Sequence, residues 1–266
     1  MDLIDSHCHL DDPRLDASRD AVLERARAAG VRAIVVPGVE AASWQRTRQC
    51  CARAPGGMVL LPAYGLHPYF TDRHEDAELE DLRRWIDGGD AVAVGECGLD
   101  FHLKHLDPDR QLALFEAQVA LARDAGLPVI VHARKAVDAV IAVLRRFPGV
   151  RADIHGFAGS EQQAFRLADL GAVIGIGNVI AFERAKRLRR VVAALPLDHI
   201  VVETDAPDQP GPNRPGALNE PAHVREVVDE IARLRAVDRD EVAARTAANA
   251  RVLFNLPDSR EGATDV

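Results

Sequence analysis

Seven histidine and acidic side chains lie where predicted β-strands end. His7 and His9 follow the first strand, and five others follow later strands: His67, Glu96, His132, His155 and Asp205. Because alternate side chains of a strand point to the same side, the imidazoles of His7 and His9 are expected to converge. Neutral imidazole nitrogen and carboxylate oxygen are ligands for zinc, manganese, iron and, less well, magnesium. The pattern therefore predicts a divalent metal site.

The segments that carry these residues alternate with amphipathic helical stretches along the chain. Eight short apolar or β-branched runs are expected to form strands: residues 3–6, 33–37, 60–65, 91–95, 129–131, 152–154, 172–176 and 200–204. Such alternation is typical of a parallel sheet built from βα units, and eight units in about 250 residues fit a (β/α)8 TIM barrel. In that fold the carboxyl ends of all strands open on the face that carries the active site. The second candidate is an open doubly wound sheet, but the first turn lacks the glycine fingerprint of a dinucleotide site.

Length and composition favour one globular domain. The chain has 266 residues, 47% of them hydrophobic and 28% charged, which allows a large core. We expect a single domain over residues 1–256 and a flexible, polar C-terminal tail over 257–266. The proline-rich segment 206–221 is interpreted as an ordered loop after the eighth strand, long enough to cover a site.

Several features predict a cytoplasmic protein. The N-terminus lacks a basic segment followed by an apolar stretch, and no apolar run approaches ~18 residues. The four cysteines include no CxxC pair, which argues against a disulfide framework and against a zinc knuckle. A net charge of −8 argues against binding duplex nucleic acid through a broad basic surface, although a local cationic pocket remains compatible with it.

Six short motifs together resemble the TatD-type deoxyribonucleases, a family of amidohydrolase-like barrels, and within it a branch of metal hydrolases. They span the chain at residues 5–9 (DSHCH), 65–68 (GLHP), 95–100 (GECGLD), 127–132 (LPVIVH), 155–160 (HGFAGS) and 203–207 (ETDAP). Cys97 stands where an aliphatic residue is usual in the family, and Ala158 replaces a frequent serine. Neither position is a ligand in the family, so both departures are compatible with activity.

The resemblance implies two divalent cations, either zinc, magnesium or manganese. It assigns His7, His9 and Asp205 to one cation. It assigns His132 and His155 to the other, with Glu96 as the carboxylate that bridges them. Two cations about 3.5 to 4 Å apart can activate a shared water and stabilise both oxygens of a phosphodiester under attack.

Other residues could complete the chemistry. Asp205 is the candidate general base, and Glu96 would hold the pair of cations. His67 could contact the scissile phosphate or polarise a leaving group, or it could hydrogen-bond to a ligand carboxylate. Four cationic side chains could bind phosphate oxygens: Arg134, Lys135, Lys186 and Arg214.

The resemblance favours a deoxyribonuclease that acts at the 3′ ends of single-stranded DNA, with no stable protein partner. Tyr69, Phe70 and Phe101 follow strand ends and could contact a base. The alternative is a hydrolase of an ester, lactone, amide or aminoacyl ester, because similar metal sites polarise carbonyls. Cations beside the metals would favour the nuclease, and an apolar pocket would favour the alternative. A metal-binding scaffold without turnover is disfavoured because the ligand set is complete and includes a base.

Overall fold

The computed structural model describes residues 2–257, so the predicted tail lies outside the described residues apart from Pro257. Eight parallel strands follow one another in the order of the chain. They are β1 (Leu3–Asp5), β2 (Val31–Gly38), β3 (Val59–Tyr64), β4 (Ala93–Asp100), β5 (Val129–Arg134), β6 (Ala152–Ile154), β7 (Ala172–Ile176) and β8 (Ile200–Val202). The first and last strands meet through residues just beyond them, where Asp205 N–H donates to His7 O at 2.9 Å. The predicted (β/α)8 barrel is confirmed.

Helices alternate with the strands and cover the outside of the sheet. They are α1 (Arg19–Ala28), α2 (Ala41–Cys51), α3 (Ala77–Asp87), α4 (Pro108–Ala125), α5 (Val137–Leu144), α6 (Glu161–Ala168), α7 (Lys186–Ala194), α8 (Val224–Arg235) and α9 (Arg239–Phe254). Ser160 begins α6 with a reciprocal capping box to Gln163, which explains why that helix starts there. Across residues 2–257 every helix is too short or too polar to cross a lipid bilayer.

Apolar side chains fill the amino half of the barrel. Ile4, Ile130 and Val201 belong to one buried cluster, to which α9 adds Ala250 and Phe254. This helix packs on β1 and β8 and so closes the amino end of the barrel. The polar residues that follow the strands are therefore confined to the carboxyl end.

Strand β4 differs most from its prediction. It was expected to end at residue 95, but it continues to Asp100, and its register with β5 shifts between Val94 and Cys97. Gly98 lies in this part of the strand with a φ of +128° and pairs with His132. The glycines of β4 interrupt the apolar pattern by which a strand is identified in a sequence. Glu96 is thus part of β4 rather than the residue after it.

Candidate metal centre

The predicted ligands converge on one cavity at the carboxyl end of the barrel. This metal pocket has a volume of about 430 Å³. Its lining includes six of the seven residues from which the site was predicted, namely His9, His67, Glu96, His132, His155 and Asp205. The seventh, His7, is completely buried and stands 3.2 Å from Glu96 Oε2. Strands that are far apart in sequence thus bring their histidines and acids to a single point.

Four side chains form the first ligand set. Five distances join its atoms: His7 Nε2 to His9 Nε2, 3.3 Å; His7 Nε2 to Glu96 Oε2, 3.2 Å; His7 Nε2 to Asp205 Oδ1, 3.6 Å; His9 Nε2 to Glu96 Oε2, 3.4 Å; and His9 Nε2 to Asp205 Oδ1, 3.5 Å. Ligands placed about 2.0–2.1 Å from a tetrahedral zinc ion stand about 3.3–3.4 Å from one another. The first ligand set therefore fits a cation of that size.

The second ligand set uses the other oxygen of the same glutamate. Glu96 Oε1 lies 2.8 Å from His155 Nε2 and 3.2 Å from His132 Nδ1. The two ring nitrogens are 3.4 Å apart. Each oxygen of Glu96 faces a different set, so this carboxylate lies between the two groups of side chains that the resemblance assigned to two cations.

Burial and charge act in opposite directions on these groups. Burial raises the pKa of Glu96, but the surrounding imidazoles, first among them His67, outweigh it and hold that pKa well below its usual range. Burial lowers the pKa of His7 to about 4. At His9 the effect of burial is outweighed by nearby carboxylates, which raise the pKa to about 9. The site thus keeps a buried carboxylate ionised, and either protons on imidazoles or bound cations must balance its charge.

The side chain of His67 lines the metal pocket and also contacts a ligand, Glu96. Its Nδ1 accepts a hydrogen bond of 3.0 Å from Tyr69 N–H, so the proton of the neutral ring resides on Nε2. That nitrogen is 2.9 Å from Glu96 Oε1 and is placed to donate to it. The geometry corresponds to the hydrogen bond to a ligand carboxylate that the sequence left as one of two interpretations.

Asp100 orients another ligand, a role that the sequence analysis missed. Its Oδ2 lies 3.2 Å from His132 Nε2, on the side of the ring opposite to Glu96. Gln111 fixes the end of β4 there, because its side chain accepts a 2.8 Å hydrogen bond from Asp100 N–H. Asp100 has the same strand parity as Glu96, which would have identified it had β4 been predicted at its full length.

The loop 206–221 contributes to the pocket wall. Gln209, also missed, donates a side-chain hydrogen bond to Asp205 Oδ2 and leaves Oδ1 facing the histidines of the first ligand set. The buried side chain of Asn219 donates to the carbonyls of Thr204 at 2.7 Å and Gln209 at 3.2 Å. These bonds confirm an ordered loop beside the site.

Two further acids lie close to the ligands. Asp5 accepts hydrogen bonds from Thr204 N–H at 2.9 Å and Thr204 Oγ1 at 2.6 Å, which ties the end of β1 to the end of β8. Burial raises the pKa of Asp5 to about 7. Glu203 accepts a 2.7 Å hydrogen bond from Gly156 N–H, directly after His155. Both acids therefore support segments that carry ligands.

The four proposed phosphate-binding residues are placed differently. Arg134 lines the metal pocket, and Lys135 lines a neighbouring cavity. Lys186 begins α7 and lies outside the lining of both cavities. Arg214 is also outside both, and its Nη1 donates to Glu226 Oε2 at 2.8 Å. The structure thus brings Arg134 and Lys135 to the site and leaves Lys186 and Arg214 away from it.

Comparison with protein families gives one match along nearly the whole chain. The model described as "TatD related DNase" matches residues 4–255. That range contains every residue of the metal pocket.

Relatives of similar length carry two kinds of description. An "uncharacterized metal-dependent hydrolase", YjjV of Escherichia coli K12, is 40% identical over 96% of this chain and 98% of its own. A "3'-5' ssDNA/RNA exonuclease TatD" from Erwinia tasmaniensis is 34% identical over 96% of this chain and 100% of its own. The crystal structure of the E. coli YjjV protein superposes with a TM-score of 0.90 at 39% identity, covering 96% of this chain and 98% of that one.

Proposed function

Since the chain belongs to the family of TatD related DNases, we propose that it hydrolyses phosphodiester bonds at the 3′ ends of single-stranded DNA. One of its relatives is described as a metal-dependent hydrolase. We also propose that it works with two divalent cations. A relative described as a 3′-5′ ssDNA/RNA exonuclease supports this substrate class.

The observation that carries the proposal is a bridged pair of ligand sets beside a guanidinium. Glu96 presents one oxygen to each set, and Arg134 stands in the wall of the same pocket with 54% of its side chain exposed. Guanidinium groups bind phosphate oxygens through two parallel hydrogen bonds. A scissile phosphate between Arg134 and the ligand sets would therefore have positive charge on both sides.

The chain's own residues have separate tasks in this reaction. Bound cations would lower the pKa of a water and balance the charge of the phosphoryl oxygens. Asp205 accepts the proton of the attacking water, while Gln209 fixes its carboxylate from the other side. His67 holds Glu96 in place through its hydrogen bond. In this proposal Asp205 serves both as a ligand and as the proton acceptor, while His67 and Gln209 hold the carboxylates in position.

The carbonyl-hydrolase alternative is less well supported. Four carboxylates line the metal pocket together with Arg134: Asp12, Glu96, Asp205 and Asp208. An ester, lactone or amide substrate needs a largely apolar wall for its uncharged part. Val39, Phe70 and Ala158 contribute apolar surface to this wall, so an anionic substrate is favoured by Arg134 and by the cations that the carboxylates would hold.

We further propose that residues 1–256 act as one unit in the cytoplasm. The cysteines at positions 8, 50, 51 and 97 are all free thiols. A reducing compartment preserves such thiols.

The test is hydrolysis of single-stranded DNA labelled at either the 3′ or the 5′ end, by metal-stripped protein resupplied with Mg²⁺, Mn²⁺ or Zn²⁺. We expect metal-dependent release of mononucleotides from the 3′ end. Asp205→Asn removes the proton acceptor and is expected to lower the rate at least about 100-fold. Asp124→Asn changes an exposed carboxylate bound to Arg123 and serves as the matched control.

Two results would contradict the proposal. Release from the 5′ end alone would reverse the polarity. Absence of release with all three metals, from protein shown to bind two ions, together with hydrolysis of a carbonyl ester, would favour the alternative chemistry.

A further inference from the structure

We propose that the cavity beside the metal pocket binds the phosphates that precede the scissile one in a single-stranded nucleic acid. This side groove, lined by Phe101, Lys135, Arg187 and neighbouring residues, has a volume of about 710 Å³. The inference rests on the proposed function, because it describes where the substrate of that same site runs after it leaves the metal pocket. It adds a residue, Arg187, that sequence motifs did not single out.

The side groove and the metal pocket adjoin. Ala133, Arg134 and Ala158 line both of them. A strand whose 3′-terminal phosphodiester lies at the ligand sets can therefore continue past Arg134 without crossing the protein surface elsewhere. The shared wall makes the groove a continuation of the site.

The charges of the groove suit a polyanion. Arg134, Lys135 and Arg187 contribute positive charge, and the acidic residue in its lining, Asp138, already accepts a 2.8 Å hydrogen bond from Arg166. Within residues 2–257, Lys135 and Arg187 have no carboxylate oxygen within 4.0 Å. Both cations are exposed and free to bind phosphate.

The opposite side of the metal pocket has the opposite charge. Asp12 and Asp208 stand there, after β1 and β8, and Arg14 joins them with hydrogen bonds of 2.9 Å to an oxygen of each. In an eight-stranded barrel these strands lie across from β5, which ends at Arg134. Repulsion on one side and attraction on the other direct an anionic strand toward the groove.

Phe101 gives the groove a surface for a base. It follows β4 directly, is half-buried, and lines the same cavity as the three cations. Stacking on an aromatic ring tolerates every base, because all bases have a π face. Cations together with one aromatic ring are the combination that binds single strands without reading their sequence.

The experiment compares substrates that reach the groove with one that does not. Affinity for a fluorescent, nuclease-resistant phosphorothioate decathymidylate is measured by anisotropy on the metal-loaded protein. Hydrolysis of bis(4-nitrophenyl) phosphate, which has no phosphate beyond the scissile one, is measured in parallel. We expect Arg187→Ala to raise the Kd of the decathymidylate about fivefold and to leave the small substrate's kcat and KM unchanged.

Arg190→Ala is the matched control, since Arg190 is exposed on the same helix, α7, and lies outside the groove. It is expected to bind the decathymidylate like the unchanged protein. Equal Kd values for Arg187→Ala and Arg190→Ala would overturn the groove, even if the enzyme cleaves DNA. Dependence on Arg187 without any phosphodiester hydrolysis would keep the groove and reject the proposed function.

Two remaining results also decide the proposal. If the unchanged protein does not bind the decathymidylate, both the groove and the proposed function are wrong. If a deca-glutamate peptide displaces the decathymidylate at equal concentration of charge, the groove is a general anion surface, and its assignment to nucleic acid is overturned.

Discussion

Some side chains of the metal pocket are candidate ligands, and others hold those ligands in place. Asp100 belongs to the second group, since its carboxylate lies 3.2 Å from His132 Nε2 while His132 Nδ1 faces Glu96. A carboxylate behind a ligand imidazole fixes the tautomer of the ring and increases its basicity. The affinity of the second ligand set for a cation is therefore expected to depend on Asp100, which is not itself a candidate ligand.

Replacing Asp100 tests this dependence. Asp100→Asn keeps the shape of the side chain and removes its charge, so we expect the affinity of the second ligand set for Zn²⁺ to fall about 10- to 100-fold. Competition with a chelator of known affinity measures it, with Asp124→Asn as the control. Unchanged affinity of the variant for both ions would show that His132 needs no such support.

The pKa of His9 predicts how metal uptake depends on pH. Nearby carboxylates raise that pKa to about 9, against the effect of burial, in the metal-free protein. The protonated ring stabilises the metal-free fold at neutral pH, and this contribution is lost as the pH rises through about 9. A histidine binds a cation only after losing that proton. Affinity for the first ligand set should therefore rise with pH.

Calorimetric titration with Mn²⁺ in buffers of different ionisation enthalpy measures the protons released. Between about pH 7 and 9 we expect release of a proton from His9 at the first ligand set and of another from His155, whose pKa nearby carboxylates also raise against the effect of burial, so affinity should rise with pH. His7, whose pKa is lowered to about 4, should release none in this range. A pH-independent affinity below pH 9 would contradict the charge assignment.

Residue types and strand ends were enough to predict which histidines and acids the fold brings together, but not the residues that support them. His7, His9 and His132 are recognisable because several metal-binding side chains follow strands that open on one face. Gln209 gave no comparable signal, because its contact with Asp205 depends on how a proline-rich loop folds back. Side-chain pairs of this kind are set by tertiary packing, which spacing along the chain does not encode.

Among the elements, β4 contributes most to the site, because it carries both Glu96 and Asp100. The eight-stranded barrel could be predicted because its other strands form continuous apolar runs between helices. The full length of β4 could not, because Gly95, Glu96 and Gly98 interrupt that run and the register shifts among them. Glycine at position 98 allows the backbones of β4 and β5 to approach each other closely, because a Cβ there would stand 2.2 Å from His132 O.

Gly98→Ala should therefore separate β4 from β5. Both the positive φ and the contact with a backbone carbonyl oppose an alanine, so we expect a lower melting temperature and weaker metal binding, as His132 moves away from Glu96. Thermal unfolding and metal content measure the two effects. Gly56→Ala is the matched control, since a Cβ there meets no atom within 4 Å. Equal stability of both variants would show that the strands separate without cost.

At the scale of the whole molecule, charge is distributed unevenly around the carboxyl end of the barrel. The chain carries a formal charge of −8, yet the side groove gathers three cations next to the metal pocket. Such a groove can hold a short stretch of single strand, whereas the net negative charge of the chain disfavours binding a duplex over a wide surface. Binding should therefore depend on few phosphate contacts.

The salt dependence of binding counts those contacts. For single strands the slope of log K against log salt is about −0.7 per neutralised phosphate, so three cations predict a slope of about −2 for the phosphorothioate decathymidylate. Arg187→Ala should reduce the slope to about −1.4, whereas Arg190→Ala should leave it unchanged. A slope steeper than about −4 in the unchanged protein would require more cations than the groove contains, and the strand would then follow another course.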